Sequence, residues 1–157
     1  MAHVLRRVGQ RGDTIHRKLK GERFFLFTDG PDSDRLRIWQ SSTLHERVRF
    51  ARWSSYPWAR SSPAWQERLS TALRDGMKAD ALEVRIHAMD IAGRGLRFLD
   101  DTVCPALDAA LDAEEARLDA IEHGKQRDAV ESLIRDRAAR RENTAKRQKI
   151  DAVLGAR

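Results

Sequence analysis

A single cysteine, Cys104, among 157 residues closes no internal disulfide, and without a second thiol it makes no cysteine-based structural zinc site. Four prolines and nine glycines exclude collagen-like and low-complexity chains. Apolar runs are short as well. The longest aliphatic or aromatic one is Phe24-Phe25-Leu26-Phe27, against the roughly 20 residues that cross a bilayer, so no membrane association is expected. Arg6 and Arg7 are followed by no apolar stretch of the kind a secretory leader carries, which predicts a cytoplasmic protein. No phosphate-binding glycine loop and no His-Glu-x-x-His pattern is present, and no cofactor is expected.

What the chain does have is charge. Thirty Lys and Arg against 24 Asp and Glu give a net +6. That sign favours a polyanionic partner. Twenty-four of the 30 are Arg, in an Ala-rich chain, so position says more than quantity. Residues 1–60 carry a net +7, 61–102 a net −1, 103–122 a net −5 and 123–157 a net +5. Blocks of this kind point to faces that meet different partners.

The patterning predicts an α+β fold. His3-Val4-Leu5 and Thr14-Ile15 read as starts of short strands. Arg23–Thr28 and Arg35–Trp39 are β-prone runs around the turn-rich Asp29-Gly30-Pro31-Asp32, which predicts a β-hairpin. Alternation would set Leu36 and Ile38 on one face and Arg35, Arg37 and Trp39 on the other. Thr43-Leu44-His45-Glu46 fits a capping box, so a helix is expected to about Trp53, with Leu44, Val48 and Ala51 inward and His45, Arg49 and Arg52 outward. Ser62-Pro63 opens a second helix with Trp65, Leu69, Ala72 and Leu73 on its core face, ending near Asp75-Gly76. Ala81–His87 alternates strictly and reads as a further strand.

From about Pro105 the chain reads as helical. Leu107, Leu111, Leu118 and Ile121 form a stripe that Glu114 interrupts, His123-Gly124 marks a stop, and a further helix carries Val130, Leu133, Ile134 and Ala138. Asn143-Thr144 reads as the cap of a last short helix holding Ile150, Val153 and Leu154. The organisation expected is a small antiparallel sheet with two packed helices over 1–102, then an antiparallel helical hairpin with a basic end over 103–157. Acidic and basic hairpin arms would face each other.

All four Trp (39, 53, 58, 65) and the one Tyr (56) fall within 27 residues that also hold Arg47, Arg49, Arg52 and Arg60. Such a set is either a packed aromatic cluster or an exposed platform on which bases stack while phosphates are neutralised. The strand Arg35–Trp39 followed by two helices resembles a ribbon-helix-helix module, whose outward strand residues enter the major groove. The 34 preceding residues, a hairpin partner and a long interhelical loop depart from that pattern, and the family is not adopted. Seven basic and two acidic residues between Arg135 and Lys149 would let a helix track phosphates or simply form a solvated face.

Acid–base and metal patterns are thin: Asp29, Asp32 and Asp34 at a turn, His45-Glu46, His87 with Asp90, and Pro31-Asp32 with Glu83-Val84-Arg85. The expectation is a non-enzymatic nucleic-acid-binding accessory or regulatory protein of a bacterium, phage or plasmid. Its contacts would come from Arg35, Arg37, Trp39, Arg49, Arg52, Tyr56, Trp58, Arg60, Arg140, Arg141, Lys146, Arg147 and Lys149. One alternative is a protein-interaction or assembly module, a phage-encoded inhibitor or virion component, that dimerises or grips a partner through the C-terminal helices. A metal-dependent nuclease using Asp32 and Glu83 is the third.

Overall fold

The computed structural model describes residues 21–52, 57–94 and 99–156. The strands expected near Val4 and Ile15, and the residues Trp53 and Tyr56, lie outside them. The described chain is helical throughout: α1 (21–29), α2 (Asp32–Gln40), α3 (Leu44–Ala51), α4 (Pro57–Arg60), α5 (Pro63–Met77), α6 (Leu82–Gly93), α7 (Val103–Ala116), a 3-10 turn (Leu118–Ala120) and α8 (Lys125–Gly155). No strand occurs among the described residues, so the α+β expectation with its antiparallel sheet is overturned. No described helix is long and apolar enough to cross a membrane.

The expected hairpin is instead the corner between α1 and α2. Phe24 and Phe27, three apart, turn inward while Phe25 and Leu26 face solvent, a helical and not an alternating division. In α2 the buried set is Arg35, Ile38 and Trp39, again spaced for a helix. Asp29-Gly30-Pro31 punctuates two helices as readily as two strands, and here Pro31 precedes α2 while Gly30 closes α1. A Cβ at Gly30 would collide with the Leu26 carbonyl oxygen, so the closing turn needs glycine.

The expected strand 81–87 became the first half of α6. This helix packs against α3, α5, α7 and α8 together, so its apolar residues surround it instead of marking one stripe. Ala88, Met89, Ile91 and Ala92 are buried.

Two of the local start signals hold. Thr43 and Glu46 form the reciprocal capping box of α3, and the Ser62 hydroxyl accepts from the Trp65 amide ahead of Pro63. α5 runs past Gly76 to Met77 and is the hub on which α3, α4, α6 and α7 pack. A Cβ on Gly76 would lie 2.6 Å from Val48 Cγ2 and 2.9 Å from Ala88 Cβ, so the bare backbone lets α3 and α6 close over α5. One buried cluster extends from Phe27 through the indoles to Val103, Leu107 and Leu111.

α7 and α8 run antiparallel: Arg127 pairs with Asp119, Arg137 with Asp112, and Arg141 with Asp108. The helix expected to begin afresh at Asn143-Thr144 does not, because the Thr144 hydroxyl donates back to the Arg140 carbonyl within one continuous α8. Glu114, the interruption in the α7 stripe, is 1% exposed. It accepts from Arg85 Nε at 2.5 Å and from Arg117 at 3.2 Å.

Candidate functional site

Among the described residues, the indoles of Trp39, Trp58 and Trp65 pack into the core with Phe27, and Arg35 is buried beside them. Phe27 lies 5.3 and 5.6 Å, edge on, from Trp58 and Trp65, and Trp39 meets Trp65 edge on at 5.7 Å. Trp39, on the inner side of α2, is 7% exposed and offers no face for a base, contrary to the outward position that alternation predicts. The Trp58 indole N–H donates to the Thr28 carbonyl at 3.0 Å. Arg35 is 5% exposed, donates to the carbonyls of Phe27 and Gly30 and to Asp32, and lies 3.9 Å over the Trp58 ring. It therefore caps the C-terminal end of α1, where orphan carbonyls and the helix dipole both favour a cation. Asp32 is engaged by Arg35 and by the Trp65 indole, away from the Glu83 cleft described below.

The other expected contacts divide. Arg37 is exposed and paired with Asp34 at 3.1 Å. Arg60 is exposed at the end of α4. Arg140 donates to the Gly93 carbonyl at 2.5 Å and Arg141 approaches Asp108 at 3.5 Å, so both also fasten α8 to the body. From Ala138 onward every described residue of α8 is exposed. Lys146 pairs with Glu142 at 2.7 Å, whereas among the described residues no ion pair engages Arg147 or Lys149. Ile150, Val153 and Leu154, spaced for one helix face, are 57%, 62% and 61% exposed on the same segment.

A second constellation lies between α3 and α6. His45 sits one residue inside the α3 start that the capping box fixes, and Glu83 and His87 are four apart on α6, hence on one face. His45 Nε2 and His87 Nδ1 are 2.9 Å apart with the rings tilted 30° at 5.1 Å. One ligand atom from each of His45, Glu83 and His87 falls within 4.8 Å of the others, a set able to hold a metal ion. They line a cleft of about 540 Å³ together with Arg49, Arg52 and Asp90. Burial first, then His87 and Arg49, pull the His45 imidazole below its ordinary value against the opposing pull of Glu83 and Glu46. A neutral ring keeps a nitrogen lone pair for a hydrogen bond or a metal.

The sequence names His45, Glu83, His87 and Asp90 in separate patterns but not as one site. The i, i+4 spacing of Glu83 and His87 is the signal that reading residues 81–87 as a strand conceals. The separation of 42 residues between His45 and His87 hides the rest. Comparison with protein-family models, with curated proteins and with solved structures gives no match.

Proposed function

We propose that the protein is a non-enzymatic nucleic-acid-binding accessory or regulatory protein whose polyanion contact is the projecting end of α8. The observation that carries this reading is the segment beyond Arg141, exposed on all sides and bearing Lys146, Arg147 and Lys149 against Glu142 and Asp151. Fourteen helical residues from Glu142 to Gly155 span about 21 Å, close to six base-pair steps, and an α-helix fits the major groove. Arg140 and Arg141 sit where such a helix leaves the body and would extend the phosphate contacts. Trp39 and Arg35, held inside, have no part in it.

The test is a set of binding isotherms on short single- and double-stranded oligonucleotides at several salt concentrations. A log affinity that falls steeply with log salt is expected, and the combined R147A and K149A variant should flatten that slope by about 2. No binding at low salt, or a slope those substitutions leave alone, overturns the reading.

A second reading, a protein-interaction module, is favoured by the exposed Ile150, Val153 and Leu154 stripe. Light scattering coupled to size-exclusion chromatography separates the two. A dimer dispersed by Val153→Asp supports the second, and a monomer that binds oligonucleotides supports the first.

A further inference from the structure

We infer that His45, Glu83 and His87 form a binding site for one divalent transition metal of the cobalt, nickel and zinc class. The site lies on α3 and α6 and does not depend on the polyanion reading. Two borderline imidazole nitrogens together with one hard carboxylate oxygen suit these ions. The lone thiol, Cys104, lies instead against the groove between α7 and α8, so the soft ligands that select copper(I) are missing from the cleft.

The spacing of the two nitrogens is informative. Nitrogens bonded at about 2.05 Å to one metal stand about 2.9 Å apart at a right angle and about 3.3 Å apart at the tetrahedral angle. The observed 2.9 Å between His45 Nε2 and His87 Nδ1 matches the right-angle spacing, and a tetrahedral zinc ion needs them to part by about 0.4 Å; with the ring centroids 5.1 Å apart both lone pairs lie near the N–N line, so each ring must also turn toward the ion. In the metal-free protein one of these nitrogens carries the proton between them; the incoming cation takes its place and that ring's proton moves, through solvent, to its other nitrogen, so both imidazoles bind as neutral ligands.

The backbone beneath is fixed. Val48, one turn beyond His45, and Ala88, next to His87, are fully buried against Gly76. Glu83, by contrast, is exposed, and its three side-chain torsions can bring a carboxylate oxygen in from the edge of the 4.8 Å cluster. Around the site Glu83, Glu46 and Asp90 favour a cation, while Arg49 and Arg52 oppose it. The same two guanidinium groups face the cleft into which the remaining coordination positions open. Water or an anionic co-ligand fits there.

The experiment adds Co²⁺ and, separately, Zn²⁺ to the full chain. Isothermal titration should give one tight site per chain, and X-ray absorption of the cobalt form should show two imidazoles in the coordination shell. H45Q and H87Q should each weaken binding by more than about 100-fold, beyond what loss of an outer-shell partner does, and E83Q by at least about tenfold. H123A, an exposed histidine elsewhere, should bind as the parent does. Binding no tighter than millimolar, binding untouched by H45Q and H87Q, or a cobalt shell with fewer than two imidazoles overturns the assignment. The absorption measurement uses the unsubstituted chain, so a variant that fails to fold leaves the question decidable.

Discussion

The corner of α1 and α2 and the far end of α8 hold the same side chain, arginine, in opposite circumstances. At the corner Arg35 is surrounded by carbonyls that no helix bond reaches and by an indole face, and it is drawn inside. Deeper in the body Arg85 meets Glu114, and Arg137 is taken up by Asp112, Glu115 and the Asp108 carbonyl. Along 142–155 no carbonyl or carboxylate of the body is within reach of Arg147 among the described residues, and it remains in water. An arginine count therefore says little about an electrostatic surface; what matters is how many orphan acceptors the fold places beside each one.

Substitutions at the two ends should separate sharply. Trp39→Ala is expected to cost about 3–5 kcal/mol in chemical denaturation, because it empties the centre of the aromatic core. Glu114→Ala should cost about 3 kcal/mol by leaving the Arg85 cation buried without its partner. A double variant carrying R85M and E114L, which removes both charges together and fills their place with apolar side chains, should recover most of that loss. Arg35→Met should cost about 1–3 kcal/mol through the uncapped carbonyls of α1 while leaving oligonucleotide affinity unchanged.

A smaller effect follows from Asp100. Its partial burial raises its pKa, but hydrogen bonds from Arg74 and Thr102 outweigh that and hold it below its ordinary value. A carboxyl depressed in the folded state contributes stability above its unfolded pKa and loses it as pH falls through the folded one. The Arg74→Ala protein should therefore lie less than about 1 kcal/mol below the parent at neutral pH, a solvent-screened pair, and converge with it in acid. Smallest of all, Lys149→Ala should change stability by no more than about 0.5 kcal/mol while weakening polyanion binding. If Lys149 and Arg35 instead behaved alike in both assays, the contrast between the two regions would fail.

Helix starts were legible because capping is local: Thr43 with Glu46, and Ser62 with Pro63, need only neighbours in sequence. Helix type was not legible where tertiary surroundings decided it. Alternation at 35–39 and 81–87 satisfies a strand and a helix alike when Arg35 is inward as a cap and α6 is enclosed on several sides. Glu114 looked misplaced because its partner, Arg85, is 29 residues away. The imidazole pair was hidden for the same reason, since pairing between helices leaves no periodic trace in either one.

Gly76 gives the cleft its gauge. His45 and His87 belong to helices whose separation is set where an atom is missing from a third. A methyl group there, Gly76→Ala, would act as a shim driven under both walls, and it would alter which ionic radius the two rings can embrace without touching any residue that faces the ion. Metal preference in this molecule could then drift by a mutation on the opposite side of the wall, through spacing alone.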